Sequence, residues 1–258
     1  MRIFLLAGFI ALSFSGFAQH SFGTYYVAAK TGLSMRETPE AGAKVVDKIP
    51  YGTKVTTLDD GKEWKSISTE GLVGYWKKVK YNNKTGYIVD SYLFPWAPPK
   101  LSVATGMKQY LGQVSLPFGQ KLVTRSGTMN QITEMGWELT KQLYKNGAEH
   151  HDFLAYEYGS DTYFLPDFSF QQGFLLLRLL PEFKDLFGEK DEFPTASKQI
   201  TKGDRVYDIK LIKYNDSEDY GGPSEIQKIR IGYEDGASYL FEMYMQDNQL
   251  VIFFSGGV

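Results

Sequence analysis

From Tyr25 to Phe94 the chain alternates short apolar runs with turn residues at even spacing. Tyr26-Val27-Ala28 is one run. Leu33 and Met35 then alternate with Ser34 and Arg36; Val45, Val46 and Ile49 precede Pro50-Tyr51-Gly52, and Val55 and Leu58 follow. Trp76 to Tyr81 leads through Asn82 to Gly86 into Tyr87-Ile88-Val89 and Asp90-Ser91-Tyr92-Leu93. Side chains of a strand point to opposite faces with period two, so half-buried strands of four to eight residues joined by such turns predict a small antiparallel barrel.

The text changes at Pro95-Trp96-Ala97-Pro98-Pro99-Lys100, where three prolines in five residues make a stiff, extended connector. Residues 95–102 are read as a linker between a barrel at 25–94 and a second domain at 103–258. In that domain Thr128 to Asn146 predicts a helix: Thr128 and Gln131 suit a capping box, Ile132, Met135, Leu139 and Leu143 form a stripe, and Gly147 suits a C-terminal cap. Phe153 to Tyr158 and Thr162 to Leu165 predict strands around Gly159-Ser160-Asp161. Phe174 to Leu180 is a continuous apolar run, strand or buried helix by period alone, and Pro181 to Gly188 suits a short helix with proline in its first turn. Arg205 to Tyr214, Glu225 to Tyr233, Ser238 to Met245 and Gln249 to Phe254 form a meander with turns at Asp235-Gly236 and Asp247-Asn248. The expected class is mainly β: a small barrel followed by an α+β domain, an antiparallel sheet packed with one longer helix.

Arg2, the apolar stretch Ile3 to Leu12 and the small residues Gly16 and Ala18 predict a secretory signal peptide over residues 1–19. The apolar stretch is too short to span a bilayer. The expected location is therefore periplasmic or extracellular, with no stable membrane insertion after cleavage.

Composition narrows the chemistry. The 258 residues include 18 Phe, 18 Tyr and 4 Trp, a β-favouring excess of aromatics, and a formal net charge of −2 carries no basic field for nucleic acid. Residues 25–94 hold 11 Lys plus Arg against 8 Asp plus Glu, and residues 95–258 hold 16 against 22. Nets of +3 and −6 favour intramolecular docking of the two parts. Absence of cysteine removes disulfides, thiolate metal ligands and cysteine nucleophiles. Of the three histidines, His20 is near the expected mature terminus, and adjacent His150 and His151 point apart on a strand or a helix, so no metal or cofactor is expected. No nucleophile elbow, phosphate loop or dinucleotide fingerprint occurs. Paired carboxylates remain for glycoside hydrolysis: Glu134 with Glu138, or Glu157, Asp161 and Asp167 around one hairpin. The acidic run Asp216-Ser217-Glu218-Asp219 lacks the alternating ligands of a calcium loop and reads as polar surface.

Three blocks in the first part carry a resemblance. Gly32-Leu33-Ser34-Met35-Arg36, Ile49-Pro50-Tyr51-Gly52-Thr53-Lys54-Val55, and Trp76-Lys77-Lys78-Val79-Lys80-Tyr81 with Gly86-Tyr87-Ile88 and Tyr92-Leu93 occur in order over about seventy residues, the size of a small domain. The segment resembles the bacterial SH3-like (SH3b) domain. It departs from that pattern in a long insertion, Asp59 to Tyr75. The resemblance implies a non-catalytic module that recognises cell-wall peptide or peptidoglycan. By analogy with SH3 grooves it implies ligand contacts at Trp76, Tyr92, Tyr87 and Tyr26, or Tyr25 in place of Tyr26, assisted by Trp64 and Tyr75 of the insertion; Arg36 is expected to be a structural donor. Alternatives are a cell-wall glycan hydrolase using carboxylates of the second domain, and a scaffold whose barrel packs only on its own second domain.

Overall fold

A computed structural model describes residues 23–59, 61, 65–101, 103, 106–127, 136–213 and 226–258. The signal segment, Trp64, Glu134 and the acidic run at 216–219 lie outside them. The first part builds strands β1 (Thr24–Val27), β2 (Leu33–Arg36), β3 (Val45–Ile49), β4 (Lys54–Leu58), β5 (Ser66–Thr69), β6 (Leu72–Tyr81), β7 (Lys84–Val89) and β8 (Leu93–Phe94). They are ordered β3-β2-β7-β6-β4-β1-β8, with β5 paired to β6. Alternation explains the core: Val27, Leu33, Met35, Ile49, Val55, Val79, Ile88 and Leu93 turn inward and are all buried.

The second part is one nine-stranded antiparallel sheet in the order β13-β14-β15-β16-β17-β12-β11-β10-β9. Its strands are β9 (Pro117–Ser126), β10 (Trp137–Tyr144), β11 (Glu149–Ala155), β12 (Tyr158–Pro166), β13 (Lys198–Lys202), β14 (Arg205–Lys213), β15 (Ile226–Glu234), β16 (Ser238–Gln246) and β17 (Gln249–Gly257). Helices α1 (Met107–Val114) and α2 (Phe170–Leu179) complete it. The Ser169 hydroxyl accepts from Gln172 N, and the Gln172 side chain accepts from Ser169 N, a reciprocal cap that starts α2 and resolves the Phe174 to Leu180 ambiguity as helix. α2 lies close on the sheet; a Cβ at Gly173 would collide with the Leu250 side chain.

The meander from β14 to β17 follows the sequence pattern, and Asp247 and Asn248 carry the positive φ of its last tight turn. Two expectations fail. Residues 137–144 of the expected helix form β10, and 128–135 lie outside the described residues. The stripe misled because Leu139 and Leu143 are four apart, a spacing that fits one face of a strand as well as a helix. Gly147, at φ 85°, turns the β10–β11 hairpin instead of capping a helix. The next turn falls at Tyr156-Glu157, so Gly159, Ser160 and Asp161 belong to β12. The short helix expected over Pro181 to Gly188 is cut down to a single 3-10 turn at Pro181–Phe183.

The two parts share a core. Ala28, Leu72 and Phe94 of the first are buried in the same cluster as Phe168, Phe174, Phe183 and Phe241 of the second. Phe94 and Trp96 both pack on Phe168, with ring centroids at 5.4 and 5.0 Å, and the Tyr51 hydroxyl donates to the Pro99 carbonyl at 2.7 Å. The insertion makes the tip contact. Its β5–β6 hairpin turns through Glu70 and Gly71, Phe193 N donates to the Glu70 carbonyl at 2.9 Å, and Arg178 of α2 pairs with the Glu70 carboxylate at 2.6 Å. Gln171 and Gln172 of α2 accept from Val73 N and donate to the Leu93 carbonyl. Lys30 pairs with Glu189 at 3.2 Å.

Candidate functional site

Strand β6 distributes the candidate aromatics of the barrel. Lys77 and Val79 lie opposite Ile88 and Gly86 on the core side, while Trp76 lies opposite Val89 and Lys78 opposite Tyr87 on the other. Trp76 is nonetheless only 5% exposed. A ligand therefore reaches it only if whatever covers it moves. Tyr92 is half-buried against the cores of both parts. Burial raises its phenol above the ordinary range and the Glu70 carboxylate adds to this, with Arg178 opposing. Tyr26 is half-buried with Phe94 and Lys54 as cross-strand neighbours. Tyr87 and Tyr75 are half-buried, and the Asp90 carboxylate accepts from Tyr75 N at 2.7 Å. Tyr92 thus lies at the contact with α2, whereas Tyr87 lies on the opposite side of β7 from the Ile88 core position. Lys77 points inward 4.0 Å from Asp90; burial lowers its pKa to about 8 against the pull of that carboxylate.

A polar constellation forms in the second part that spacing alone did not indicate. His150 and His151 do point to opposite faces of β11: His150 stacks on Tyr163 at 4.6 Å, and His151 packs on Phe164 at 4.8 Å. Asp152, two residues after His150, lies directly opposite Asp161 of β12. His150 Nε2 is 2.6 Å from Asp161 Oδ1, and Lys108 of α1 places its ammonium 2.9 Å from Asp152 and 3.8 Å from Asp161. His150, Asp152 and Asp161 offer ligand atoms within 4.8 Å of one another. Lys108 bridges the facing carboxylates and His150 bonds Asp161, so the group reads as a partly exposed ion-pair network at the sheet surface. Burial opposes ionisation of Asp161, but His150, Lys108 and the Tyr163 hydroxyl outweigh it and hold the carboxyl below its usual range. For His151, burial pushes the ring down despite the contact with Glu149. The signal available in sequence was the i, i+2 pair His150 and Asp152, but it needed the true hairpin register to find Asp161.

Of the carboxylates considered for hydrolysis, Glu138 is on β10 and bonded to Arg125 at 2.5 Å, and Asp161 is engaged by His150. Glu157 and Asp167 occupy positive-φ turn positions at the two ends of β12.

Comparison with known proteins bears on the barrel. Residues 31–94 match the family model of the bacterial SH3 domain. No curated protein and no solved structure matches the chain. Within the bacterial SH3 domain the matched motif residues serve the fold: Gly32 takes φ 82°, and Arg36 Nη1 donates to the Ala43 carbonyl at 2.6 Å, the structural role expected of it. Tyr51, in the Ile-Pro-Tyr-Gly step, is given to the contact with the second part, and burial raises its phenol well above the ordinary range. The insertion that departs from the SH3 pattern reaches α2 alongside Tyr92 and Leu93.

Proposed function

We propose that the chain is an extracytoplasmic, non-catalytic recognition protein whose bacterial SH3 domain takes cell-wall peptide or peptidoglycan. The match of residues 31–94 to that family carries this reading. The export assignment rests on the N-terminal sequence; among the described residues no helix is long and apolar enough to cross a membrane. Tyr87 and Tyr26, half-buried on outward positions of β7 and β1, are the preferred contacts, because a flat aromatic face gives contact area at little entropic cost. Sedimentation of the full chain with purified peptidoglycan tests this: wild type co-sediments, Tyr87→Ala co-sediments less, and no soluble fragments are released. Failure of wild type to sediment and to bind stem peptides would remove the reading, and fragment release would make the protein a hydrolase.

A second reading has its own support. Leu72 and Phe94 are buried in the core of the second part, which favours a barrel used as a fixed structural element of its own chain. It predicts that no cell-wall fraction is retained.

A further inference from the structure

Among the described residues, α1 and α2 pack on one face of the sheet of the second part, the face that carries Tyr163, Phe241 and Ile252. On the other face, a row of cross-strand neighbours runs Asp208, Gly232, Leu240, Ser255 and Ser160 across five strands. Next to it, Lys210 stands opposite Arg230. Gly232 has no side chain, and a Cβ built there would meet nothing within 4 Å, so the sheet surface is hollow at that point. The β11–β12 turn raises Tyr156 and Tyr158 beside the hollow. The result is a cleft of about 740 Å³ lined by these groups except Ser160, within the size range of small-molecule sites.

Its chemistry selects a ligand class. The charged lining residues are Glu157, Asp208, Lys210 and Arg230, two of each sign. Lys210 is 3.1 Å from Asp208, and Glu242 is shared by Lys228 at 2.9 Å and Arg230 at 3.8 Å, so that with Glu157 three carboxylates stand among three cations. With the cations balanced locally, the cleft offers no net attraction to a phosphate or another anion. It offers fixed donors, fixed acceptors beside them, and two aromatic faces, Tyr156 at 49% and Tyr158 at 40% exposure. A flat ligand with an apolar C–H face and a rim of hydroxyl groups matches all three. We propose that this cleft is a saccharide-binding site for a neutral oligosaccharide, its sugar face lying on Tyr158 and its hydroxyl groups bonded by Asp208 and Arg230. The inference concerns a different part of the molecule from the barrel, and substitution at Gly232 separates binding in this cleft from any glycan binding by the barrel.

The test is isothermal titration of the full chain with two neutral probes, a β-1,4-linked N-acetylglucosamine tetramer and a β-1,4-linked glucose tetramer. Saturable binding of either is expected, and the tighter of the two shows whether the N-acetyl group is read. Tyr158→Ala and Asp208→Asn should each weaken binding at least about tenfold, since bonds to charged groups and aromatic contacts are of that order. Gly232→Val is the decisive variant. It adds volume at the floor of the cleft, where a Cβ meets nothing within 4 Å, and places a β-branched residue in a strand, so thermal stability should hold while binding disappears. Absence of saturation with both probes up to about 10 mM, or a Gly232→Val variant that binds like wild type, would overturn the proposal. Either outcome leaves retention of peptidoglycan stem peptides by the barrel as a separate result.

Discussion

Replacing Gly71 by Ala tests how the two parts are held together. Gly71 sits at φ 75°, and a Cβ there would lie 2.6 Å from the Phe193 carbonyl oxygen and 3.3 Å from the Phe193 nitrogen. Those are backbone atoms and cannot rotate away. Gly52 is a matched control: φ is 76°, and nothing lies within 4 Å of the position its Cβ would take. Both substitutions incur the left-handed penalty of about 1–2 kcal/mol, partly offset by about 0.4–1 kcal/mol from a less flexible unfolded chain, which leaves about 1 kcal/mol. At Gly71 the tip must also retreat. The Phe193 to Glu70 hydrogen bond is lost, worth about 1 kcal/mol, and Leu72, fully buried at the tip, gives up part of a burial worth about 1.5–3 kcal/mol. The expected destabilisation is about 3 kcal/mol for Gly71→Ala against about 1 kcal/mol for Gly52→Ala. Urea unfolding of both full-length variants, followed by circular dichroism and tryptophan fluorescence, gives the comparison. Gly71→Ala should also separate the two probes into non-coincident transitions, since the clamp couples the parts. Equal destabilisation of the two variants would refute the packing of the hairpin tip on Phe193.

Trp76→Ala should cost about 3–5 kcal/mol in the same unfolding assay, the loss expected for a buried aromatic; a loss below about 1 kcal/mol would return Trp76 to an exposed surface role. A fragment of residues 23–94 leaves Leu72 and Phe94 uncovered, so its stability should fall about 3–6 kcal/mol short of the value for the barrel in the full chain, as read by amide hydrogen exchange on both. Lys77 titrates near 8 in the folded protein, below the ordinary lysine value of 10.5, so between those values the unfolded chain binds more protons and stability rises with pH. Lys77→Met should therefore be more stable than wild type at pH 7, with the advantage shrinking toward pH 10; a pH-independent difference would count against a depressed pKa.

The barrel was legible in sequence because its determinants are local. Period-two alternation sets each strand's inner face, and turn residues such as the Asn82-Asn83 pair, both at positive φ, close the hairpins without help from distant parts of the chain. The final meander was legible for the same reason. The segment around Leu139 and Leu143 was not, since a four-residue apolar spacing serves helix and strand alike, and the sheet neighbours on either side of β10 decided between them. Nor did residue type reveal which aromatics face solvent. Trp76 and Tyr87 occupy the same side of the β6–β7 ladder, yet one is covered and the other half open. Hydrophobicity determined that an aromatic belongs in either place. Burial depends on what packs above it, which residue type alone does not set; at Tyr92 it is the second part, distant in sequence. The facing carboxylates Asp152 and Asp161 and the hollow at Gly232 belong to the same category: the residues are plain in the sequence, but strand register brings them to their partners, and register is fixed only when the whole sheet assembles on its helices.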